Sequence, residues 1–138
     1  MGRRILDNMF SMGTLAPIVV VTHSPAIQAL LEMIFEEEGL PGAFFTSPKE
    51  GLAFLKENTP MLIVLEDGLN PDAFTLASRI KMIPRLRQIP LVLLAEETDF
   101  TKTTAEISGV DHILSKPIDR KRFMALLQQA DKTASPPN

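Results

Sequence analysis

Cysteine is missing from all 138 residues, which excludes disulfides, thiolate metal ligands and cysteine nucleophiles together. That absence fits a reducing compartment, and a cytoplasmic location is the expectation. Long apolar runs are also missing: none approaches the roughly 20 residues that a membrane-spanning helix needs. Arg3 and Arg4 stand near the start, but Asp7, Asn8 and Ser11 interrupt the apolar residues between Ile5 and Leu15. This is a poor match to the apolar stretch of a signal peptide. Residues 1–15 therefore read as an extension outside the fold, and Met9 and Met12 leave a later translation start open. Charge of one sign is scarce too. Fourteen Lys and Arg against 17 Asp and Glu leave a net charge of -3, so no broad field favours nucleic acid or an anionic membrane as partner. Glycine-rich phosphate loops are absent: neither a dinucleotide fingerprint nor a P-loop follows any apolar run, which argues against a nucleotide-binding enzyme.

What is present is an ordinary globular composition, 45% hydrophobic and 22% charged, of a length that suits one core. Ile18-Val19-Val20-Val21 is a short, wholly apolar β-branched run, the mark of a strand covered on both faces. Ser24-Pro25 then supplies a hydroxyl N-cap with proline at the first helical position. Ile27, Leu30, Leu31, Ile34 and Phe35 follow at helical spacing, and Gly39 provides the stop. The unit recurs. Ala43–Thr46 reads as a weaker strand, and Ser47-Pro48 repeats the cap before Leu52, Phe54 and Leu55. Met61–Leu65 is a second central strand, followed by a helix through Phe74, Leu76, Ile80 and Ile83 that Pro84 closes. Leu91–Leu94 is a third. A threonine-rich helix of low propensity spans about 100–108, Ile113-Leu114 is a short last strand, and Asp119 caps a helix with Phe123, Leu126, Leu127 and Ala130 on its buried face. Residues 131–138 read as a disordered tail, leaving the domain at 16–130.

Strands alternating with helices, with central strands apolar throughout, predict an α/β fold with a parallel sheet and helices on both faces. In such sheets the functional crevice lies beyond the C-terminal ends of the strands. The residues at those tips are Thr22-His23-Ser24, Glu66-Asp67-Gly68, Ala95-Glu96-Glu97 and Ser115-Lys116-Pro117.

These tips, with their flanks, resemble the receiver domain of two-component response regulators over about residues 16–130. The most specific segment is Gly109-Val110-Asp111-His112-Ile113-Leu114-Ser115-Lys116-Pro117; Ile89–Leu94 and Ser24-Pro25 fall in order with it. The resemblance implies a five-stranded parallel sheet in the order 2-1-3-4-5. It also implies roles that the residues here mostly fail to fill. Where receivers carry an acidic pair that helps to hold Mg²⁺, this chain has Thr22 and His23, poor ligands for a hard cation. Where they use a serine or threonine that contacts the phosphoryl group it has Ala95, and the aromatic switch position carries Ile113. Lys116 matches the family lysine. The phosphoacceptor position falls on Glu66 counting from Pro60, or on Asp67 counting back from Pro71. Phosphoryl transfer depends on positioning and charge neutralisation, so Mg²⁺ is not expected to bind and the chain is not expected to be an enzyme.

The leading expectation is a degenerate receiver that acts by phosphorylation-independent protein–protein contact. A receiver still phosphorylated on Asp67 or Glu66, and a small-molecule binder at the strand-tip crevice, stand as alternatives. Lys116 would form a standing ion pair with Glu66 or Asp67, or else sit in solvent. The expected contact surface, for a protein partner or a second copy, is the fourth helix, fifth strand and fifth helix, with Ile107, Val110, Ile113 and Arg120-Lys121-Arg122. With no effector expected after residue 130, output would come from that partner. His23 and Ser24 read as a loop histidine and an N-cap rather than a catalytic pair, and His112 as a turn residue. Arg79, Lys81, Arg85 and Arg87 read as a solvated helix end. Glu36-Glu37-Glu38, at a helix C-terminus where the macrodipole disfavours anions, reads as a solvated end or a contact for a basic partner.

Overall fold

The computed structural model describes residues 16–134. The extension read at 1–15, and 135–138 of the tail, lie outside the described residues. Strands β1 (Ile18–Val21), β2 (Gly42–Phe45), β3 (Leu62–Glu66), β4 (Leu91–Leu94) and β5 (His112–Leu114) alternate with five helices. These are α1 (Pro25–Glu38), α2 (Pro48–Glu57), α3 (Ala73–Lys81), α4 (Asp99–Ser108) and α5 (Arg120–Ala134), with a 3₁₀ turn at Pro84–Leu86 after α3. All neighbouring strands pair in parallel, in the order β2-β1-β3-β4-β5.

Every residue of β1, β3 and β4 is buried, and all but Glu66 at the end of β3 are apolar, as expected of strands covered on both faces. The two-residue alternation of a strand divides these side chains between two cores. Ile18, Val20, Leu62, Val64, Val92 and Leu94 pack with Leu31, Ile34 and Phe35 of α1 and with Phe123 and Leu127 of α5. Val19, Val21, Ile63, Leu65, Leu91 and Leu93 pack with Leu55 of α2 and Leu76, Ala77 and Ile80 of α3.

The expected caps form. Ser24 Oγ accepts from the Ile27 N–H at 3.2 Å and Ser47 Oγ from Glu50 at 3.1 Å. Asp119 Oδ1 accepts from Arg122 N–H at 2.8 Å. Asp72 caps α3 by accepting from the Thr75 N–H at 3.0 Å, a cap the sequence reading passed over. That backbone hydrogen bond, ahead of the opposing effect of partial burial, holds the Asp72 carboxyl below the usual aspartate range.

Three readings are corrected. Of the basic run from Arg79 to Arg87, Arg79 is exposed as expected, but Lys81, Arg85 and Arg87 are tied into the fold rather than solvated. Arg85 donates to the carbonyls of Leu55, Lys56 and Asn58 at 2.7, 3.0 and 3.0 Å and so closes the end of α2. Lys81 donates to the carbonyls of Arg87 and Ile89 and to Asp111 Oδ2, at 3.1, 3.0 and 3.0 Å. The same Asp111 oxygen accepts from Leu91 N–H at 2.8 Å, tying α3 to the entry of β4. His112 is no turn residue: it opens β5 opposite Val92, with a buried Nε2 that has no hydrogen-bond partner. Finally, α5 runs to Ala134, so residues 131–134 are helical rather than tail; the boundary at 130 marked only the last apolar residue of its buried face.

Candidate functional site

The strand order reverses around β1 and β3, and the crevice beyond their C-terminal ends is where this architecture gathers its functional groups. Val21 of β1 lies opposite Leu65 of β3, so the next residues, Thr22 and Glu66, come side by side. Both are buried, at 1% and 8% exposure. Thr22 Oγ1 donates to Glu66 Oε1, and Thr22 Oγ1 in turn accepts from the Ser24 N–H at 3.0 Å. The hydroxyl is thereby used in both directions, and it holds one carboxylate oxygen of Glu66.

The other oxygen is held from across the sheet. Lys116, in the segment after β5, donates from Nζ to Glu66 Oε2 at 3.1 Å and to Asp67 Oδ1 at 2.8 Å. A nearly buried carboxylate is tolerable only when its charge and lone pairs are met; here a hydroxyl and an ammonium meet them. Of the two acids that counting left open, Glu66 ends β3 and points into the cluster, while Asp67 lies one residue on with its side chain 46% exposed.

The segment that carries Lys116 is itself fastened. Arg122, on α5, donates to the carbonyls of Ser115 and Pro117 at 3.1 and 2.8 Å and to Ser115 Oγ at 2.8 Å. Arg122 is thus a positioning residue for the lysine, whereas the sequence placed it in an outward basic run. Arg120 also turns inward, to Glu37 and Glu38 at 3.4 and 3.3 Å, which gives part of the acidic end of α1 an intramolecular cation. Lys121 alone of that run is left without a partner among the described residues.

The structure therefore brings together Thr22, Glu66, Asp67 and Lys116. It does not bring in His23, which is exposed and makes no bond to the cluster. Ala95 is buried, and its N–H donates to the Leu114 carbonyl at 3.2 Å, but its side chain offers no polar group. Ile113 is half-buried on β5 opposite Leu93, away from these bonds.

Burial by itself would lower the Lys116 pKa, but the hydrogen bonds and charges of Asp67 and Glu66 outweigh it and hold the ammonium above the usual lysine value. On raising the pH the unfolded chain then loses this proton before the folded one. The stabilisation is fully present below roughly pH 10.4, the ordinary lysine value, and is lost as pH rises through the higher folded-state value. The stability gap between the wild type and Lys116→Met, read from urea midpoints, should accordingly stay constant from pH 7 to 9 and narrow above pH 10. A gap that widens there would contradict the arrangement.

No family model matches the chain. It is 32% identical over 124 residues to an uncharacterized 14.6 kDa protein in the sodA1 3′ region of Leptolyngbya boryana, a match spanning 86% of this chain and 93% of that one. It is 28% identical over 124 residues to the transcriptional regulatory protein AfsQ1 of Streptomyces coelicolor, where the match spans 86% of this chain and 54% of that protein. Its fold superposes on the chemotaxis response regulator CheY4 of Vibrio cholerae with a TM-score of 0.79 at 18% identity, covering 85% of this chain and 99% of the other. The chain has the fold of response-regulator receiver domains. A further receiver, that of the sensor histidine kinase PA1611 from Pseudomonas aeruginosa, superposes with a TM-score of 0.78 at 17% identity over 88% of this chain and 100% of that one; it holds a magnesium ion in its active-site cleft. Among the described residues of this chain no helix is long and apolar enough to cross a membrane.

The side chains at the strand tips of this fold do not fit magnesium. Mg²⁺ demands an octahedral set of oxygen ligands with little tolerance. Among the described residues no three of His, Cys, Asp and Glu stand together in a way that could hold a metal ion. The two carboxylates at the tip already share the ammonium of Lys116.

Proposed function

We propose that this receiver is a degenerate one, held in a single state by its own ion pairs, that acts by contacting a protein rather than by catalysis. The observation that carries the reading is the double occupancy of Glu66: Thr22 holds one oxygen and Lys116 the other. We take Glu66 as the residue in the acceptor position. An acceptor must present a free oxygen in line with the incoming phosphorus, next to charge that can neutralise the transferring group. Glu66 has no free oxygen, and the positions where acids would bring a metal carry Thr22 and His23.

The contact surface we favour is α4, β5 and α5. Phe100 and Ile107 of α4 are 74% and 81% exposed and, seven residues apart, lie on one side of the helix. Val110 and Ile113 line a depression of about 350 Å³ on another side of α4, with Lys102, Ala105 and Glu106. Large exposed side chains of this kind mark contact sites more often than scattered single ones do. Lys121 is available on α5, while Arg120 and Arg122 are spent within the fold.

Treatment with acetyl phosphate, or with beryllium fluoride and Mg²⁺, should leave the intact mass and melting temperature of the full chain unchanged. A phosphorylated species that Glu66→Gln or Asp67→Asn abolishes would overturn the proposal.

A further inference from the structure

We infer that the groove between α2 and α3 binds a small organic acid with an apolar body. Leu52 and Ala53 of α2 face Leu76 of α3 and Pro71 across a cavity of about 480 Å³. That volume lies within the ~300–1,000 Å³ range of small-molecule sites. The rim is charged with one sign. Lys49, Lys56 and Arg79 line the groove, and no carboxylate does. By contrast, the depression beside α4 includes Glu97, Glu106 and Asp111, and the one beside α5 includes Glu38.

The cations at this groove are also uncommitted. Lys81, Lys102, Lys116, Arg85, Arg87, Arg120 and Arg122 all reach partners within the fold. The side chains of Lys49, Lys56 and Arg79 reach none among the described residues. Their placement is built into the helices. Lys49, Leu52, Ala53 and Lys56 fall at i, i+3, i+4 and i+7, one face of α2; Leu76 and Arg79 fall at i and i+3 on α3. Lys56 and Arg79 stand in the last turns of their helices. The carbonyls at the end of α2 would repel an anion there, but Arg85 covers them with its own positive charge.

The occupant this describes has its acidic head between Lys56 and Arg79 and its apolar body along Leu52 and Leu76. Lys49 lays its stem over the far end and keeps its ammonium in water. The groove is separate from the Glu66–Lys116 cluster, and the inference stands whether or not the receiver is phosphorylated.

A chemical-shift titration of the full chain with sodium octanoate tests it, with octanol and octylamine as neutral and cationic counterparts. Octanoate should give saturable shifts at Leu52, Ala53 and Leu76. Octanol should bind at least tenfold more weakly and octylamine not at all. The double variant Lys56→Gln/Arg79→Gln should keep the wild-type melting temperature, because neither side chain supports the fold, yet lose at least tenfold in octanoate affinity. Absence of saturable shifts, equal binding of octylamine, or undiminished affinity in the double variant would each overturn the assignment. So would a response of these residues to an acidic amphipathic peptide but not to octanoate.

Discussion

Replacing Lys116 with methionine should lower the folding stability by about 2 kcal/mol, measured from urea-denaturation midpoints at pH 7. Methionine keeps most of the stem's volume, so the loss reports on the charge. Removing one partner of a buried pair costs ~3–5 kcal/mol because the other charge is stranded. Here Lys116 is 37% exposed, and water can reach part of the vacated site, which discounts that figure. Glu66 is the stranded partner, with its side chain only 11% exposed and Thr22 as its one remaining donor. Glu66→Gln should therefore rescue Lys116→Met: the double variant loses less than the single lysine variant, with a coupling energy of about 1–2 kcal/mol. Asp67→Asn in the same background should change stability by under ~0.5 kcal/mol, since its carboxylate is largely solvated. A coupling energy near zero between positions 66 and 116 would show that the ion pair contributes nothing and would remove the frozen-state proposal.

The fold was legible in the sequence wherever one short-range pattern decided the outcome. Ile18–Val21, Leu62–Leu65 and Leu91–Leu94 announce strands covered on both faces, and Ser24-Pro25 and Ser47-Pro48 announce helix starts. The sheet order was not readable from periodicity; it came with the family resemblance. The site was half legible. Thr22, Glu66, Asp67 and Lys116 could be placed at strand tips, and the ion pair could be anticipated as one of two outcomes. What counting from the flanking prolines could not decide was which acid turns inward. That depends on strand register, because side chains alternate faces and a shift of one residue sends the carboxylate to the other side. The long cations were the least legible. Arg85 reaches back 30 residues to Leu55, and Arg120 reaches 83 residues to Glu37. Arg122 looked like its neighbours in an exposed run yet holds the segment that aims Lys116. A surface arginine has no periodic signature that separates a partner across the fold from solvent; only tertiary geometry does. His112 failed for a related reason, since the short β5 begins at a polar residue and was read as starting one position later.

If a missing set of charges is what silences this receiver, putting the charges back should wake it. The variant Thr22→Asp/His23→Asp/Glu66→Asp/Ala95→Thr should take up phosphate from acetyl phosphate in the presence of Mg²⁺, at a rate more than about 100-fold above that of the parent, with the modified species detected by intact mass. Each change answers one deficiency. Asp at 22 removes the hydroxyl that occupies Glu66 and adds an oxygen ligand in its place. Asp at 23 adds a second, from a side chain that is now exposed and makes no bond to the cluster. Shortening Glu66 by one methylene draws its carboxylate back from Lys116 toward the strand end, where the incoming phosphorus can be met in line. Threonine at 95 supplies the donor that a methyl group cannot. Crowding carboxylates at one tip should destabilise the metal-free variant through like-charge repulsion, so its melting temperature should fall without Mg²⁺ and recover with it, whereas the parent's should not respond to the ion. That second readout separates two failures. A variant that gains the magnesium response but no phosphate has regained the metal site and still lacks the geometry of attack. A variant that gains neither, while remaining folded, would show that restoring these four groups does not make a phosphorylatable pocket and would count against the proposal.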